Sequence, residues 1–338
     1  MGNCSNIRRR ALLGVLSLVL CPGGSGSHAQ TATKPIRVGV LLSGSQTQWE
    51  PLQRALLDGL REQGYIEGAN LVVVRRYGEL QGERILSSAN ELAAMHVDAI
   101  VTSCTTTTRM AATAAATTPI VMGSITDPVR AGLVSSFARP GGHITGRGGL
   151  GLEMLPKRLE VLRTLLPENV RAGARIAVLM NGKDPAHEAA WEASAPAARA
   201  LNLELIRLEA SGPAGLEAAL QRLAGASARG LLVFSDDPVM IEFRGRIAAT
   251  ALALGLPSIS SPRMFAEAGG LISYGADMGD DYRLSAVHVV KVANGASPAT
   301  LPIEQPTQFP MTINLRTAAA LGIRIPSELL LRADMTIE

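Results

Sequence analysis

Short runs of small polar residues follow five apolar segments of the chain. They read SGSQTQ, SCTTTT, GSITDP, NGKDP and SDDP, and they precede segments with a helical pattern. Hydroxyl groups, the free backbone amides of a helix N-terminus and the positive end of its dipole suit anionic groups such as carboxylates. The pattern therefore indicates non-covalent binding of a small molecule.

Patterns for covalent or metal chemistry are weak. The five histidines are scattered, and no Cys/His spacing typical of a metal site occurs. The run GRGGLG at 146–151 matches G-x-G-x-x-G, but the next apolar segment ends in LMNG without the acid that a dinucleotide site requires. We therefore predict no enzyme, no catalytic residue, no cofactor and no metal, with a nucleotide-dependent enzyme as a minor alternative.

The elements that position the polar runs alternate between strand and helix. IRVGVLL, NLVVVRRY, VDAIVTS and PIVMG are short apolar runs, and periodic helical segments separate them. The pattern then restarts, because RIAVLMNGKDP resembles RVGVLLSGSQT and GGLISYG resembles GGHITG. The sequence predicts an α/β fold of two similar doubly wound parallel-sheet lobes joined by a hinge. Ligands of such sheets bind outside the carboxyl ends of the strands, which here line one cleft.

The threonine run raises the question of capping. Thr105 and Thr106 follow the third strand and precede a helix, which is the position of an N-cap and of a hydroxyl in the cleft. Capping requires one such residue rather than four. We expect these threonines to combine capping with ligand contact.

The first 29 residues have the pattern of a signal peptide. Three arginines precede the apolar run ALLGVLSLVL, and SHAQ offers a cleavage site after Ala29. Either the Sec or the twin-arginine route fits, whereas Leu20 before Cys21 disfavours a lipoprotein. Of the 32 basic residues, three lie in this segment, so the rest of the chain has as many basic as acidic residues. No basic patch indicates nucleic acid.

Four longer motifs carry a family resemblance. They are DGLREQGYIEGANL, DPVRAGLVSSFARPGGHITG, FAEAGGLISYGADM and LPIEQPTQFPMTINLRTAAALGIRIPSELLLRAD. In this order they resemble the substrate-binding proteins of ABC importers, including the tryptophan- and tyrosine-binding receptors. The resemblance implies a type I periplasmic-binding-protein fold, a periplasmic location, a small-molecule solute, an ABC permease in the inner membrane as partner, and a monomer.

The resemblance and the repeat together point to ten ligand-binding residues. They are Ser43, Gly44, Trp49, Thr105, Thr106, Thr126, Asp127, Asn181, Asp236 and Tyr274. In the first lobe, hydroxyls and amides would hold a carboxylate, and Asp127 or Asp236 would hold an ammonium group. Tyr274 and Trp49 would pack on a side chain, which implies an amino-acid-like solute, aromatic or branched. Asp127 lies one residue and Asp236 two residues before a proline, so each is alternatively a turn residue. The alternative for Tyr274 is a packing residue, and for Trp49 a surface or helix-start residue.

The predicted domain boundaries follow the same logic. Residues 1–29 form the signal peptide, 35–145 with about 276–310 form the first lobe, and 146–275 form the second. Residues 311–338 pack back at the hinge and lobes. His143 and the altered loops NGKDP and TTTT depart from the family pattern, so the solute does not transfer from known members. A periplasmic ligand-sensing module for a signalling partner is the alternative function.

Overall fold

The computed structural model describes residues 34–149, 151–235 and 237–338, which include two sheets. The first sheet has the strand order β2-β1-β3-β4-β5, and all its pairings are parallel. Its strands are β1 Ile36–Leu42, β2 Leu71–Tyr77, β3 Ala99–Thr102, β4 Ile120–Ile125 and β5 Ile144–Gly148. β1 is buried at every position except Arg37, as expected for a strand covered on both faces.

Helices cover both faces of this sheet. They are α1 Gln46–Glu62, α2 Gly82–Ala94 and α3 Thr105–Ala114. In α1, Leu52, Leu56 and Leu60 are buried at helical spacing, and Ser45 caps the N-terminus by accepting a hydrogen bond from the Gln48 amide. The apolar stripe that the sequence shows is therefore the stripe that the helix buries.

The second sheet has the order β12-β11-β10-β9-β8-β6-β7. Its strands are β6 Ala174–Met180, β7 Leu203–Glu209, β8 Gly230–Val233, β9 Ser258–Ser260, β10 Ile272–Tyr274, β11 Met311–Asn314 and β12 Met335–Ile337. Every pairing is parallel except that of β10 with β11. Its helices are α4 Leu155–Thr164, α5 Glu168–Arg171, α6 Pro185–Ala200, α7 Gly212–Gly225, α8 Pro238–Glu242, α9 Arg244–Ala253 and α10 Arg263–Glu267. The prediction of two parallel-sheet α/β lobes is confirmed.

The chain passes between the two sheets at three places. It leaves the first sheet after β5, returns after β10 to helix α11 Met278–Ala293, and leaves again before β11. α11 packs against α1, β4 and β5 of the first lobe. Two short helices, α12 Leu315–Ala320 and α13 Ser327–Arg332, separate β11 from β12. These three crossings are the physical hinge, because they are the covalent links between the lobes.

The predicted signal peptide lies outside the described residues, and the predicted domain boundaries stay a prediction. Within the described part of the chain, no helix is long and apolar enough to cross a membrane.

Candidate functional site

A cavity lies between the lobes. We call it the interlobe cavity. The first lobe contributes Ser124 and Thr126 at the end of β4, and the second contributes Ser235 after β8 and Ser261 after β9. All four side chains therefore stand at carboxyl ends of strands, where the fold places ligands. The crossing segments complete the wall with Gly149, Gly151, Leu152, Ala276, Met278 and Phe309.

A buried carboxylate faces this cavity from α11. Asp281 accepts hydrogen bonds from Arg147 Nε and from Ser124 Oγ, both at 2.9 Å. The side chains of Arg147 and Asp281 are 6% and 4% exposed, so the ion pair is almost free of water. Burial raises the pKa of Asp281, while the hydrogen bond and charge of Arg147 act in the opposite direction. A carboxylate has about four acceptor positions, so Asp281 has capacity for a further donor.

The guanidinium of Arg147 also has a second partner. Its Nη1 donates to Glu304 Oε2 at 2.9 Å, and Glu304 is half exposed. Arg147 lies in β5, Glu304 precedes the third crossing, and Asp281 follows the second. One buried arginine therefore ties together the three segments that link the lobes.

The wall of the second lobe is partly aromatic. His187 in the first turn of α6 stacks edge-on against Phe234, with the ring centroids 5.6 Å apart. The backbone amide of Asn181 donates to His187 Nδ1 at 2.9 Å, which fixes the ring orientation. Both rings line the interlobe cavity.

A cationic residue stands on the same wall. Arg158 of α4 donates through Nε to the Tyr274 carbonyl oxygen at 2.7 Å and through Nη2 to Ser261 Oγ at 2.8 Å. Arg158 is 5% exposed and lines the interlobe cavity. The cavity wall thus contains a guanidinium from α4 and, from α11, a carboxylate that is paired with Arg147.

Three glycines of the GRGGLG run lie so close to neighbouring residues that a side chain would not fit. Gly146 has φ +128°, and a Cβ there would lie 2.4 Å from the Met122 carbonyl oxygen. A Cβ on Gly148 would lie 2.2 Å from the Ile125 oxygen, and one on Gly151 would lie 2.4 Å from Thr126 Cγ2. The glycines allow β5 and the first crossing to lie against β4, which accounts for the motif without a nucleotide.

Three of the predicted site residues lie together at the cleft. Thr126 lines the interlobe cavity, and a smaller adjoining cavity is lined by Thr105, Thr126 and Asp127. Asp127 Oδ1 also accepts the Arg130 amide at 3.0 Å, which is the alternative turn role. Thr106 is exposed and lines neither cavity.

The expectation that Thr105 or Thr106 caps α3 requires correction. Cys104 is the N-cap of α3, and Thr107 closes the capping box because its Oγ1 accepts the Cys104 amide at 3.0 Å. The helix therefore begins one residue earlier than a threonine cap would place it. Burial raises the pKa of the Cys104 thiol.

Three other predicted residues lie where the lobes touch rather than at the interlobe cavity. Ser43 is buried, and its backbone amide donates to Ser103 Oγ at 3.0 Å. Trp49 is fully buried in the core of the first lobe, so it is neither a surface residue nor part of the cavity wall. A Cβ on Gly44 would lie 2.3 Å from both Trp49 Nε1 and Glu242 Oε2. A carboxylate of the second lobe already occupies the space beside this loop.

The last three predicted site residues lie in different surroundings. Asn181 Nδ2 donates to Asp237 Oδ2 at 2.7 Å and its Oδ1 accepts Ser211 Oγ at 2.8 Å, so its side chain organises a loop. The ring of Tyr274 packs against the core of the second lobe, as in the packing alternative. Asp236 lies outside the described residues.

Several cavity residues were missed by the sequence reasoning. Ser124, Phe234 and Ser235 lie in the quoted strand-end runs or directly before them, so a wider reading of those runs would have found them. Asp281 and His187 had no such signal, because each lies inside a helix at a position that only the lobe arrangement directs inward. Across the described ranges, no group of three or more His, Cys, Asp or Glu side chains could hold a metal ion.

Comparisons with known proteins agree with this geometry. The family model described as ABC transporter substrate binding protein matches residues 37–337. A curated relative, the tyrosine-binding protein of Clostridioides difficile strain R20291, is 23% identical over 93% of this chain and 90% of its own length.

Two solved structures show the same fold. A conserved domain protein from Vibrio cholerae has a TM-score of 0.81 and 25% identity, with 90% of this chain and all of that chain covered. An ABC domain from Streptococcus pneumonia in complex with L-Trp has a TM-score of 0.79 and 24% identity, with 89% and 100% covered. The lobes, the cavity between them and the match over 37–337 lead to one conclusion: this chain belongs to the ABC transporter substrate-binding protein family.

Proposed function

We propose that this protein binds an amino acid with an aromatic or branched side chain between its lobes and presents it to an ABC permease. The observation that carries the proposal is the interlobe cavity itself, with walls from both lobes, a carboxylate on α11 and a guanidinium on α4. A solute that touches both lobes binds the closed form more tightly than the open form, and this difference drives closure.

The charges support a zwitterion. Asp281 suits an ammonium group, because its buried carboxylate gains a further hydrogen-bond donor and a further positive charge. Arg158 places a guanidinium on the α4 side of the cavity, and guanidinium donors suit a carboxylate.

The apolar part of the wall supports the choice of side chain. Phe234, Phe309, Met278, Leu152 and Leu155 line the interlobe cavity. Apolar side chains beside a few polar groups are the usual lining of a small-molecule site, and this cavity has both. The relatives named for tyrosine and bound to L-Trp support the same class of solute.

Export and delivery complete the proposal. The N-terminal pattern of residues 1–29 supports transport across the inner membrane, and family membership supports a permease as partner. We propose a periplasmic monomer without catalytic activity.

The proposal is tested by isothermal titration calorimetry with L-Trp, L-Tyr, L-Phe, L-Leu, L-Ile, D-ribose and D-xylose. We expect dissociation constants of about 1 μM or lower for at least one of the five amino acids and no heat with the sugars. Binding of a sugar and no binding of any amino acid would contradict the proposal.

Removing the aromatic wall should weaken binding. Phe234→Ala is expected to raise the Kd for the preferred amino acid about 10- to 100-fold, because roughly 1.5–3 kcal/mol of apolar contact is lost. Phe234→Leu, which retains most of the volume, should lie between this variant and the wild type. Leu252→Ala on the outer side of α9 is the control and should leave Kd unchanged. Equal Kd values for Phe234→Ala and the wild type would remove Phe234 from the site.

A further inference from the structure

His187 carries a buried hydrogen-bond donor that the folded chain does not use. Its Nε2 is buried without a hydrogen-bond partner, and the residue is 1% exposed. The same side chain lines the interlobe cavity. Buried polar groups in native proteins are nearly always paired, so an unpaired one in a cavity indicates a missing partner.

The position of the proton on this ring follows from its other nitrogen. The Asn181 backbone amide can only donate, so His187 Nδ1 must accept and carries no proton. The ring proton is therefore on Nε2. The Phe234 ring packs edge-on against the imidazole and holds this donor in place. His187 thus presents one oriented N–H group to the cavity.

We propose that His187 determines specificity by donating from Nε2 to an acceptor oxygen of the solute, which is the carboxylate in an amino acid. This inference rests on the proposed function for the identity of that oxygen. Asp281 faces the cavity from the first lobe and His187 from the second. A zwitterion held at both ends therefore bridges the lobes, and His187 contributes to closure as well as to affinity.

Two variants separate the two ring nitrogens. The side-chain amide of asparagine reaches the position of Nδ1, so His187→Asn keeps an acceptor for the Asn181 amide and removes the Nε2 donor. The amide of glutamine reaches the position of Nε2, so His187→Gln keeps a donor there and removes the acceptor. Each variant is measured with the same seven solutes by calorimetry, and its melting temperature is measured without solute.

We expect His187→Asn to weaken binding of the preferred solute about 5- to 50-fold and to leave the melting temperature almost unchanged. His187→Gln should stay within about 3-fold in affinity and should melt at a lower temperature. The reverse pattern would overturn the proposal, because His187 would then act through the Asn181 loop alone. If only a sugar binds and His187→Asn weakens the binding of that sugar, the proposed amino-acid function is contradicted, while the role of the Nε2 donor is supported.

A separate observation concerns the contact between the lobes at α1. Glu242 at the end of α8 accepts hydrogen bonds from the Ser45 amide at 3.0 Å and from Ser45 Oγ at 2.5 Å. Ser45 is the N-cap of α1, so a carboxylate of the second lobe lies at the positive end of a 17-residue helix of the first. Trp49 Nε1, a second buried donor without a partner, is directed at the same point beside Gly44.

Apolar packing surrounds this contact. Ile241 and Met264 of the second lobe pack into the core of the first, and Leu80 of the first packs against the core of the second. Leu80 and its neighbour Glu79 have φ of +60° and +48°, a conformation that costs free energy in residues other than glycine. The loop therefore keeps a strained shape while Leu80 contacts the other lobe.

We propose that Glu242 is a latch that stabilises the closed arrangement of the lobes relative to the open one. Small-angle X-ray scattering on the protein without solute tests this. Glu242→Ala should increase the radius of gyration and raise the Kd of the preferred solute about 3- to 30-fold, because the closed form becomes less populated. Glu217→Ala, an exposed ion-pair residue on α7, is the matched control. An unchanged radius of gyration for Glu242→Ala would overturn the latch.

Discussion

Arg147→Ala is expected to lower the free energy of unfolding by about 3–5 kcal/mol, because it leaves the carboxylate of Asp281 buried without its charged partner. Ser124 alone would then hydrogen-bond that carboxylate. Urea denaturation at neutral pH gives the measurement. Glu304→Gln is the control, since Glu304 bonds the same guanidinium but is half exposed, and it should cost less than about 1 kcal/mol.

The pH dependence of the same variant provides an independent check. Burial already raises the pKa of Asp281, and Arg147 counteracts this shift, so the pKa rises further once Arg147 is absent. An acid with a raised pKa in the folded state contributes stability that is present at low pH and lost as the pH rises through that pKa. The loss in free energy of unfolding caused by Arg147→Ala should therefore be largest at about pH 7–8 and should become smaller toward about pH 5. A difference in free energy of unfolding between the variant and the wild type that stays constant over this pH range would contradict the ion-pair explanation.

Gly146→Ala is expected to destabilise the protein by at least about 3 kcal/mol, because φ of +128° and the close Met122 backbone both exclude a Cβ. β5 would have to move away from β4, and the first crossing with it. Thermal unfolding monitored by circular dichroism gives the measurement. Gly142→Ala is the control: a Cβ there meets no atom within 4 Å, and its φ is not positive. Equal melting temperatures for the two variants would show that β5 accommodates the added Cβ without loss of stability.

The local part of this architecture could be predicted from sequence. The apolar runs, the helical stripe of α1 and the repeat of strand-loop-helix units depend on neighbours a few residues apart, and the structure has strands at each of those runs. Thr126 and Asp127 were placed at the cleft by the same reasoning. Strand ends and polar loops are local properties of the chain.

The position of Ser43, Gly44 and Trp49 away from the interlobe cavity has a non-local origin. Their loop does follow a strand end and precede a helix, as predicted, but the second lobe inserts Glu242 there. Which strand-end loops face the solute depends on how one lobe is rotated against the other. Asp281 was missed for the same reason, since α11 returns to the first lobe only after the whole second sheet except β11 and β12.

The path of α11 also determines the order in which the chain can fold. The first sheet is complete in sequence at Gly148, yet Tyr282, Ala286 and Val289 of α11 belong to its core. The second sheet in turn takes β11 and β12 from the last 28 residues. A growing chain therefore cannot bury either core until nearly all of it has been synthesised, and contacts of such high sequence separation form slowly. Late folding of this kind leaves the apolar residues of both cores exposed for most of the time that synthesis of the chain takes.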